Sequence, residues 1–191
     1  MNNGKKHVLA VISGPSGVGK GTVIKIMFAL RPDLKESVSC TTRAPREWER
    51  EGIEYFFVTK EKFENMIQGG QLLEYSQHFS NYYGTPRAFV EKSLETSDVI
   101  LEIEVDGALQ VKRAHPSAVL IMLLPPSMEE LAARLRGRGT ESVEKIAQRM
   151  QRAEYELSKK DMYDYCVVND DAEVAARKIL EIIEEQKEAL K

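Results

Sequence analysis

The residues best suited to chemistry in this 191-residue chain are glycines and a lysine near its start. Residues 14–22 read GPSGVGKGT and lie between an apolar run, residues 8–12, and a helical pattern from residue 21 onward. Glycines let successive backbone N–H groups point at one anion, and the following helix N-terminus adds about half a positive charge. Lys20 supplies a further cation for terminal phosphates, which a plain turn would not need. Strand, turn and helix in this order predict a nucleotide-binding P-loop. Its members are Gly14, Pro15, Ser16, Gly17, Val18, Gly19, Lys20, Gly21 and Thr22.

One position departs from the P-loop pattern. Where the pattern has Ser or Thr directly after the lysine, this chain has Gly21 and then Thr22. The hydroxyl that usually contacts Mg²⁺ is therefore absent or supplied one residue later. The same Gly-Lys-Gly-Thr order is familiar from adenylate kinases, so the departure does not abolish the site. We expect Mg²⁺ to be held mainly through phosphates and water, with Thr22 as a candidate ligand.

Composition limits the classes of protein to consider. Lys and Arg total 27 against 30 for Asp and Glu, so a net charge of −3 gives no overall basic field for nucleic acid. The two cysteines are far apart, and the three histidines lack metal-ligand spacing. No apolar stretch reaches membrane length. We therefore expect one cytoplasmic domain with no nucleic-acid or membrane partner, and the oligomeric state stays open.

Apolar runs alternate with helical patterns along the chain. The runs predict strands at residues 8–12, 99–105, 118–124 and 165–168, with a weaker one at 37–41. Helices are predicted at residues 21–30, 107–114, 127–136 and 172–189, the third with a Ser127–Glu130 capping box. This alternation predicts an α/β fold with a parallel sheet between helices, whose ligands bind at the carboxyl ends of the strands.

Two regions break the alternation and are predicted to be inserts over the sheet edge. Residues 41–89 are rich in Arg, Tyr and turn residues, and residues 136–160 are charged and helical. A phosphoryl-transfer enzyme needs such covers, because water otherwise competes for the phosphoryl group. The alternative is a long loop plus a solvated helical face, but long loops are seldom idle in compact domains.

Arginines open the first insert in a pattern that fits a phosphate group. Arg43 and Arg46 lie beside hydroxyl side chains and a proline turn, and Tyr55 and Tyr83 add phenol donors. The alternatives are that the arginines pair with nearby glutamates on a solvated loop and that the tyrosines only pack. Thr85, which precedes Pro86, would then only cap a helix. Together, and downstream of a P-loop, these residues favour a second anion site.

At this level of detail the sequence closely resembles guanylate kinase. The matching segments are residues 14–20, 37–46, 81–85, 125–127, 137–141 and 168–171, in the family's order and over nearly the whole chain. The resemblance implies a P-loop core (1–40, 90–135 and 161–191), a GMP-binding insert (41–89) and a helical lid (136–160). It implies transfer of the γ-phosphoryl group of MgATP to GMP, and to dGMP, giving ADP and GDP.

The resemblance also implies roles for individual residues. It places Arg43, Arg46, Tyr55 and Tyr83 at the GMP phosphate, and Ser39, Glu74 and Thr85 at the guanine. The chemistry of Glu74 agrees, because a carboxylate can accept both the N1–H and the N2 amino group of guanine but repels the N1 lone pair of adenine. Such a mismatch discriminates by about 10⁴. The alternative for Glu74 is an exposed charge after two leucines.

Acidic residues end the predicted strand at 99–105. Glu102 and Glu104 would share one strand face, and an apolar strand ending in acids resembles one that holds Mg²⁺ through water. In guanylate kinases, position 104 is usually Asp and contacts GMP, and position 106 is usually Gln. Glu104 and Asp106 therefore depart from the family. They could pair with Arg43 or form a salt bridge with the lid.

The second insert carries a cluster of arginines. The resemblance selects Arg134, Arg138 and Arg149 over Arg136 as lid residues that neutralise charge on the transferring phosphoryl group. Alternatively, they balance neighbouring glutamates on a solvated face. Asn169 is implied at the adenine of ATP.

Two rival functions stay open at this point. Scaffold proteins use the same fold as a phosphopeptide-binding module, but with a degraded P-loop and lid. Another nucleotide or metabolite kinase could share the P-loop. No cysteine or histidine is placed as a nucleophile, so we expect direct in-line transfer with no covalent intermediate.

Overall fold

Helices and strands alternate along most of the structure, a computed structural model that describes residues 6–137 and 142–190. In chain order, the elements are β1 (Leu9–Ser13), α1 (Lys20–Leu30), β2 (Lys35–Glu36), β3 (Cys40–Thr41), β4 (Phe56–Phe57), α2 (Lys60–Gln68), β5 (Leu72–His78), β6 (Asn81–Pro86), α3 (Arg87–Leu94), β7 (Val99–Glu102), α4 (Val105–Ala114), β8 (Val119–Leu124), α5 (Met128–Gly137), α6 (Val143–Leu157), a 3₁₀ turn (Lys160–Met162), β9 (Tyr165–Val168) and α7 (Ala172–Ala189).

A five-stranded parallel sheet forms the centre, in the order β2–β7–β1–β8–β9. Side chains of β1 alternate between its two faces, as strand geometry requires. Ala10 and Ile12 pack towards α1 and α7, and Leu9 and Val11 pack towards α3 and α4. The result is three layers, helix–sheet–helix, which confirms the predicted α/β fold.

A second sheet, in the order β4–β3–β6–β5, is built from the first insert. Its β5–β6 and β3–β6 pairs are antiparallel, and α2 covers one face through the fully buried ring of Phe63. Residues 41–89 therefore hold a small layered unit rather than a loop. Its cleft side lies opposite the carboxyl end of β7, because Glu102 lines the same cleft as Glu74 and Tyr83.

The second insert contains helix α6, which packs against the preceding helix α5. Leu131 and Leu135 of α5 pack against Ala153 of α6, and Ser142 caps α6 by accepting from the Lys145 amide. Ser127 accepts from the Glu130 amide at 3.1 Å, the backbone half of the predicted capping box. Arg138 lies outside the described residues.

The structure corrects three local predictions. Residues 37–41 do not form one strand: β2 ends at Glu36 in the central sheet, and only Cys40 and Thr41 form a strand, β3, which belongs to the second sheet. Strand β7 ends at Glu102, since Glu104 is the extended N-cap of α4, so Glu104 does not share a strand face with Glu102. Thr85 does not cap α3. The N-cap residue of α3 is Pro86, and the Thr85 hydroxyl donates a hydrogen bond to Glu74 instead.

Candidate active site

The P-loop connects β1 to α1 with three glycines in conformations that favour glycine. The φ angles of Gly14, Gly17 and Gly19 are +153°, +91° and +97°. A Cβ on Gly14 would collide with the Leu123 carbonyl of the neighbouring strand. These positions need glycine because both the backbone angle and the close approach exclude a side chain. The loop's amides and the α1 N-terminus therefore form a rigid anion cradle.

Lys20 is the first residue of α1 and lies at the mouth of this cradle. Its Nζ donates to the Gly14 carbonyl at 2.5 Å, which folds the side chain back over the loop. Burial lowers the pKa of Lys20, and the carboxylates of Glu102, Glu156 and Glu104 oppose that shift. The facing carboxylates favour the charged form of Lys20, and the partial desolvation strengthens the attraction between this cation and an arriving phosphate.

Asn169 supports the P-loop from beneath. Its buried side-chain amide donates to the Val18 carbonyl at 2.7 Å, and its own carbonyl accepts from Arg134 at 3.1 Å. A Cβ on Gly19 would lie 2.6 Å from the Asn169 amide nitrogen. Arg134 also pairs with Glu130 at 3.0 Å, as in the solvated-face alternative. Both residues therefore stabilise the donor loop in this structure, and an adenine contact by Asn169 stays a prediction.

Glu74 and Thr85 form a buried polar pair on the second sheet. The Thr85 hydroxyl donates to Glu74 Oε1 at 2.7 Å, and Thr85 and Glu74 are 0% and 6% exposed. Burial raises the pKa of Glu74 to about 7, against the opposing hydrogen bond from Thr85. Sequence reasoning left open an exposed charge at this position, and the burial excludes it. One carboxylate oxygen is bonded to Thr85, and the other lies against Gly107 of α4.

The arginine pair of the first insert is partly engaged within its own loop. Arg43 donates to Glu49 at 2.7 Å, and its guanidinium lies 5.6 Å from the Tyr55 ring centroid. Tyr55 and Tyr83 meet edge to face at 6.1 Å. Arg46 lies over the ring of Trp48, 6.0 Å from its centroid, and its amide donates to Glu49. The glutamate pairing foreseen as an alternative thus occurs for Arg43, and it also fixes the guanidinium beside both phenols.

Three adjoining clefts connect these two ends. The first, about 960 Å³, is lined by Glu74, Arg43 and Tyr83; the second, about 530 Å³, contains Lys20; the third lies along the P-loop. Glu102 at the end of β7 lines all three. Ser39, Tyr55 and Glu104 line the first two, and Thr22 lines the third. A donor on the P-loop and an acceptor beside Glu74 would therefore meet near Lys20.

The lid helix α6 crosses this junction. Arg149 donates to the Ser16 hydroxyl of the P-loop at 2.5 Å. Arg152 reaches the other side and donates to Asp106 at 3.0 Å. The sequence alternative of a salt bridge between the lid and the acidic segment is therefore the observed arrangement. Arg136 is exposed in the last turn of α5. Within the described residues, none of Arg134, Arg136 and Arg149 lines these three clefts.

Sequence reasoning missed three residues of the cleft. Arg152 and Glu156 lie on the face of α6 that lines the second cleft, and Gly107 of α4 lies next to Glu74 in the first cleft. Helical spacing was the available signal for the first two, because Arg149, Arg152 and Glu156 recur at intervals of three and four residues. Nothing in the local sequence marks Gly107, since its neighbour Glu74 is 33 positions away.

A parallel sheet with a P-loop, an insert and a helical lid around one cleft defines the P-loop phosphotransferase class. The guanylate kinase family model matches residues 6–186, so the chain belongs to the guanylate kinase family. The chain is similar to guanylate kinases of Oceanobacillus iheyensis (52% identity over 95% of this chain and 89% of that protein) and Lactococcus lactis (50%, 94% and 88%). A crystal structure of guanylate kinase from Anaplasma phagocytophilum matches with a TM-score of 0.71 and 32% identity, over 96% of this chain and 87% of that one.

Membership of this family agrees with the resemblance drawn from the motifs. Within the described residues, no helix is long and apolar enough to cross a membrane.

Proposed function

We propose that this chain transfers the γ-phosphoryl group of ATP to GMP, and to dGMP, producing ADP and GDP. The observation that carries the proposal is the row of adjoining clefts with a P-loop at one end and the buried Glu74–Thr85 pair at the other. In the cell, such an enzyme recycles GMP and supplies guanine nucleotides, with the cytoplasm as its compartment.

The donor is held by the P-loop. Backbone N–H groups of the P-loop and the α1 N-terminus bind the phosphates; Pro15 has no N–H, and the Val18 N–H donates to the Pro15 carbonyl. Lys20 leaves the Gly14 carbonyl to contact the phosphates. Asn169 holds the loop and borders the adenine. A Cβ added at Gly21 would meet no atom of the described residues within 4 Å, so the loop does not need glycine there for space.

Mg²⁺ fits the donor end of the cleft. The Thr22 hydroxyl and the Glu102 carboxylate line the P-loop cleft, and Mg²⁺ prefers such oxygen ligands while keeping several waters. We assign these two side chains as its protein ligands, direct or through water, beside the phosphates. When bound, the ion neutralises charge on the donor's β- and γ-phosphates.

The acceptor lies in the first cleft. Its phosphate is bound by Arg43, Tyr55 and Tyr83, and by Arg46, which lines a neighbouring cleft together with these three residues. Forked guanidinium donors suit a phosphate group. Glu74 accepts the guanine N1–H and N2 amino protons, with Ser39 and Thr85 beside the base. Glu102 and Glu104 border the acceptor between base and phosphate.

Transfer is direct and in line. A phosphate oxygen of GMP forms the new bond to the γ-phosphorus while the bond to the β–γ bridging oxygen breaks, and ADP leaves with that electron pair. Lys20 and the lid arginines Arg134, Arg138 and Arg149 neutralise the charge, a role worth about 10³–10⁵ in rate for one arginine. The division into core, acceptor insert and lid follows these roles, although residue 40 pairs with the insert sheet.

The test is a coupled assay of ADP formation with GMP, AMP, UMP and dTMP as acceptors. We expect turnover with GMP at least about 100-fold above that with AMP, and loss of turnover by more than about 10³-fold in Lys20→Met. A protein that binds GMP but forms no ADP would be a non-catalytic module. Equal turnover of GMP and AMP would reject the role of Glu74.

A further inference from the structure

One arginine ties the lid helix α6 to the acceptor side of the cleft. Arg152 Nη2 donates to Asp106 Oδ2 at 3.0 Å, and Arg152 Nε donates to Glu156 Oε1 at 3.0 Å. The Tyr155 hydroxyl donates to Asp106 Oδ1 at 2.9 Å, and the Arg152 guanidinium lies 5.0 Å from the Tyr155 ring centroid. We call Asp106, Arg152 and Tyr155 the clasp. Both carboxylate oxygens of Asp106 are therefore engaged by the same turn of α6.

Arg152 compensates the negative charges that meet at the clasp. Besides Asp106 and Glu156, the guanidinium lies 3.6 Å from Glu104 Oε2, so one cation faces three carboxylates. Glu156 is 5% exposed, and its second oxygen has no hydrogen-bond partner in the described part of the chain. Without the arginine, like charges on α4 and α6 would repel across the cleft. An isolated exposed pair contributes little, but a shared network couples two elements.

The clasp and the P-loop contact lie on one face of one helix. Arg149, three residues before Arg152, donates to Ser16 of the P-loop. Helix α6 is thus held at the donor loop by Arg149 and at the start of α4 by Asp106. Since α4 also contacts the acceptor insert through Gly107, a shift at Asp106 would reach both substrate sites.

We propose that Asp106 is a positioning residue for phosphoryl transfer: it holds Arg152 and Tyr155, keeps α6 closed over the cleft, and thereby fixes Arg149 beside the donor phosphates. This inference rests on the proposed function, because it assigns how the lid is set over the two substrates. Asp106 takes no part in bond making itself.

The kinetic test uses Asp106→Asn, Arg152→Gln and the double variant. Lid closure serves both substrates, so Asp106→Asn should lower kcat/KM by the same factor, about three- to tenfold, for GMP at saturating ATP and for ATP at saturating GMP. The effect of the double variant should be smaller than the product of the two single effects, because Asp106 acts mainly through the arginine and only in part through Tyr155. A fall for GMP alone would make Asp106 an acceptor-binding group and overturn the proposal. Independent, multiplying effects or no fall would also overturn it.

Arg177→Gln is the matched control. It removes an arginine that pairs with Glu173 at 2.7 Å on α7, outside the clefts, and should leave both kcat/KM values unchanged. If Asp106→Asn does not fold, Tyr155→Phe removes a single hydroxyl from the clasp and should lower both values by about twofold. Unchanged values in a folded Tyr155→Phe would then count against the proposal.

Hydrogen exchange separates the clasp from the proposed function. In the ligand-free protein, Asp106→Asn should speed amide exchange in α6 by about three- to tenfold and leave α7 unchanged. Unaltered amide exchange in α6 would overturn the proposed role of Asp106 even if the wild type is a fully active guanylate kinase. A wild-type protein that is inactive with GMP and ATP would instead reject the proposed function. The exchange result would still show whether Asp106 holds α6 in place.

Discussion

In the proposed function, selection of the base depends on Glu74. It is a carboxylate in a site that is 6% exposed, with Thr85 on one oxygen and the α4 backbone near the other. Burying an acid is unfavourable unless the charge is matched, and the raised pKa is the sign of that cost. A guanine N1–H and amino group would supply the missing donors, which adenine cannot do.

Replacing this carboxylate tests the selection directly. In Glu74→Gln, the amide oxygen accepts only one guanine proton and the amide nitrogen opposes the other. We expect the ratio of kcat/KM for GMP to that for AMP to fall by at least about 100-fold. Steady-state kinetics with both acceptors measures it, and Glu91→Gln on the exposed side of α3 serves as a control for charge. An unchanged ratio would mean that another group reads the base.

The raised pKa of Glu74, about 7, predicts a pH dependence of GMP use. Only the carboxylate accepts both guanine protons, and kcat/KM reports ionisation of the free enzyme. Between about pH 8 and pH 6 the ionised fraction falls, so kcat/KM for GMP should fall about tenfold. The phosphate of GMP also titrates near pH 6, and the Glu74→Gln profile isolates that contribution. Identical profile shapes for both proteins would contradict the prediction.

Because the charge of Glu74 is buried, we expect its removal to stabilise the folded protein. The folded-state pKa exceeds the unfolded value of 4.5, so the folded protein binds the extra proton between pH 4.5 and 7. This group therefore lowers stability as pH rises through that window. Glu74→Gln should be more stable than wild type at about pH 8, by up to about 3 kcal/mol, and nearly equal at about pH 4.5. Urea unfolding at the two pH values decides this.

At the scale of elements, helix α4 contacts both the lid helix and the buried Glu74. Its first turn carries Asp106 of the clasp, and the next residue, Gly107, lies against Glu74. A Cβ at position 107 would lie 2.8 Å from Glu74 Oε2. The helix therefore needs glycine for close approach and not for backbone angle.

Gly107→Ala should separate function from stability. Alanine favours the helix by about 0.5–1 kcal/mol, so the melting temperature should not fall by more than a few degrees. The added methyl group displaces the carboxylate, and KM for GMP should rise about tenfold or more while KM for ATP stays near wild type. Gly70→Ala would carry its methyl group into open space on the acceptor insert, but its φ of +62° is unfavourable for alanine. This control should therefore lower the melting temperature and leave KM for GMP near wild type.

The extent to which the sequence predicts each part follows from the range of the interactions. The P-loop is predictable because strand, glycines, lysine and helix are contiguous and their chemistry is local. The clasp is not, because Asp106 and Arg152 are 46 residues apart and meet only when α6 packs on the cleft. The prediction of a single strand at 37–41 was wrong, because a short apolar run does not show that the chain leaves one sheet and enters another there.

For the whole molecule, the central claim is that one chain holds two nucleotides end to end. In this proposal the central sheet carries the donor loop and the second sheet carries the acceptor pocket. Helix α6 contacts the P-loop through Arg149 and lines the first cleft through Arg152. The first and third clefts have only Glu102 in common among their described lining residues, so a ligand in one leaves the rest of the other free. Catalysis is then positioning plus charge neutralisation, with no covalent intermediate.

The most direct measurement is a calorimetric titration of GMP into the protein saturated with Mg²⁺ and a non-hydrolysable ATP analogue. We expect one equivalent of GMP to bind with the analogue still bound, and Glu74→Gln to weaken GMP without weakening the analogue. Displacement of the analogue by GMP would mean a single shared pocket and would contradict the account.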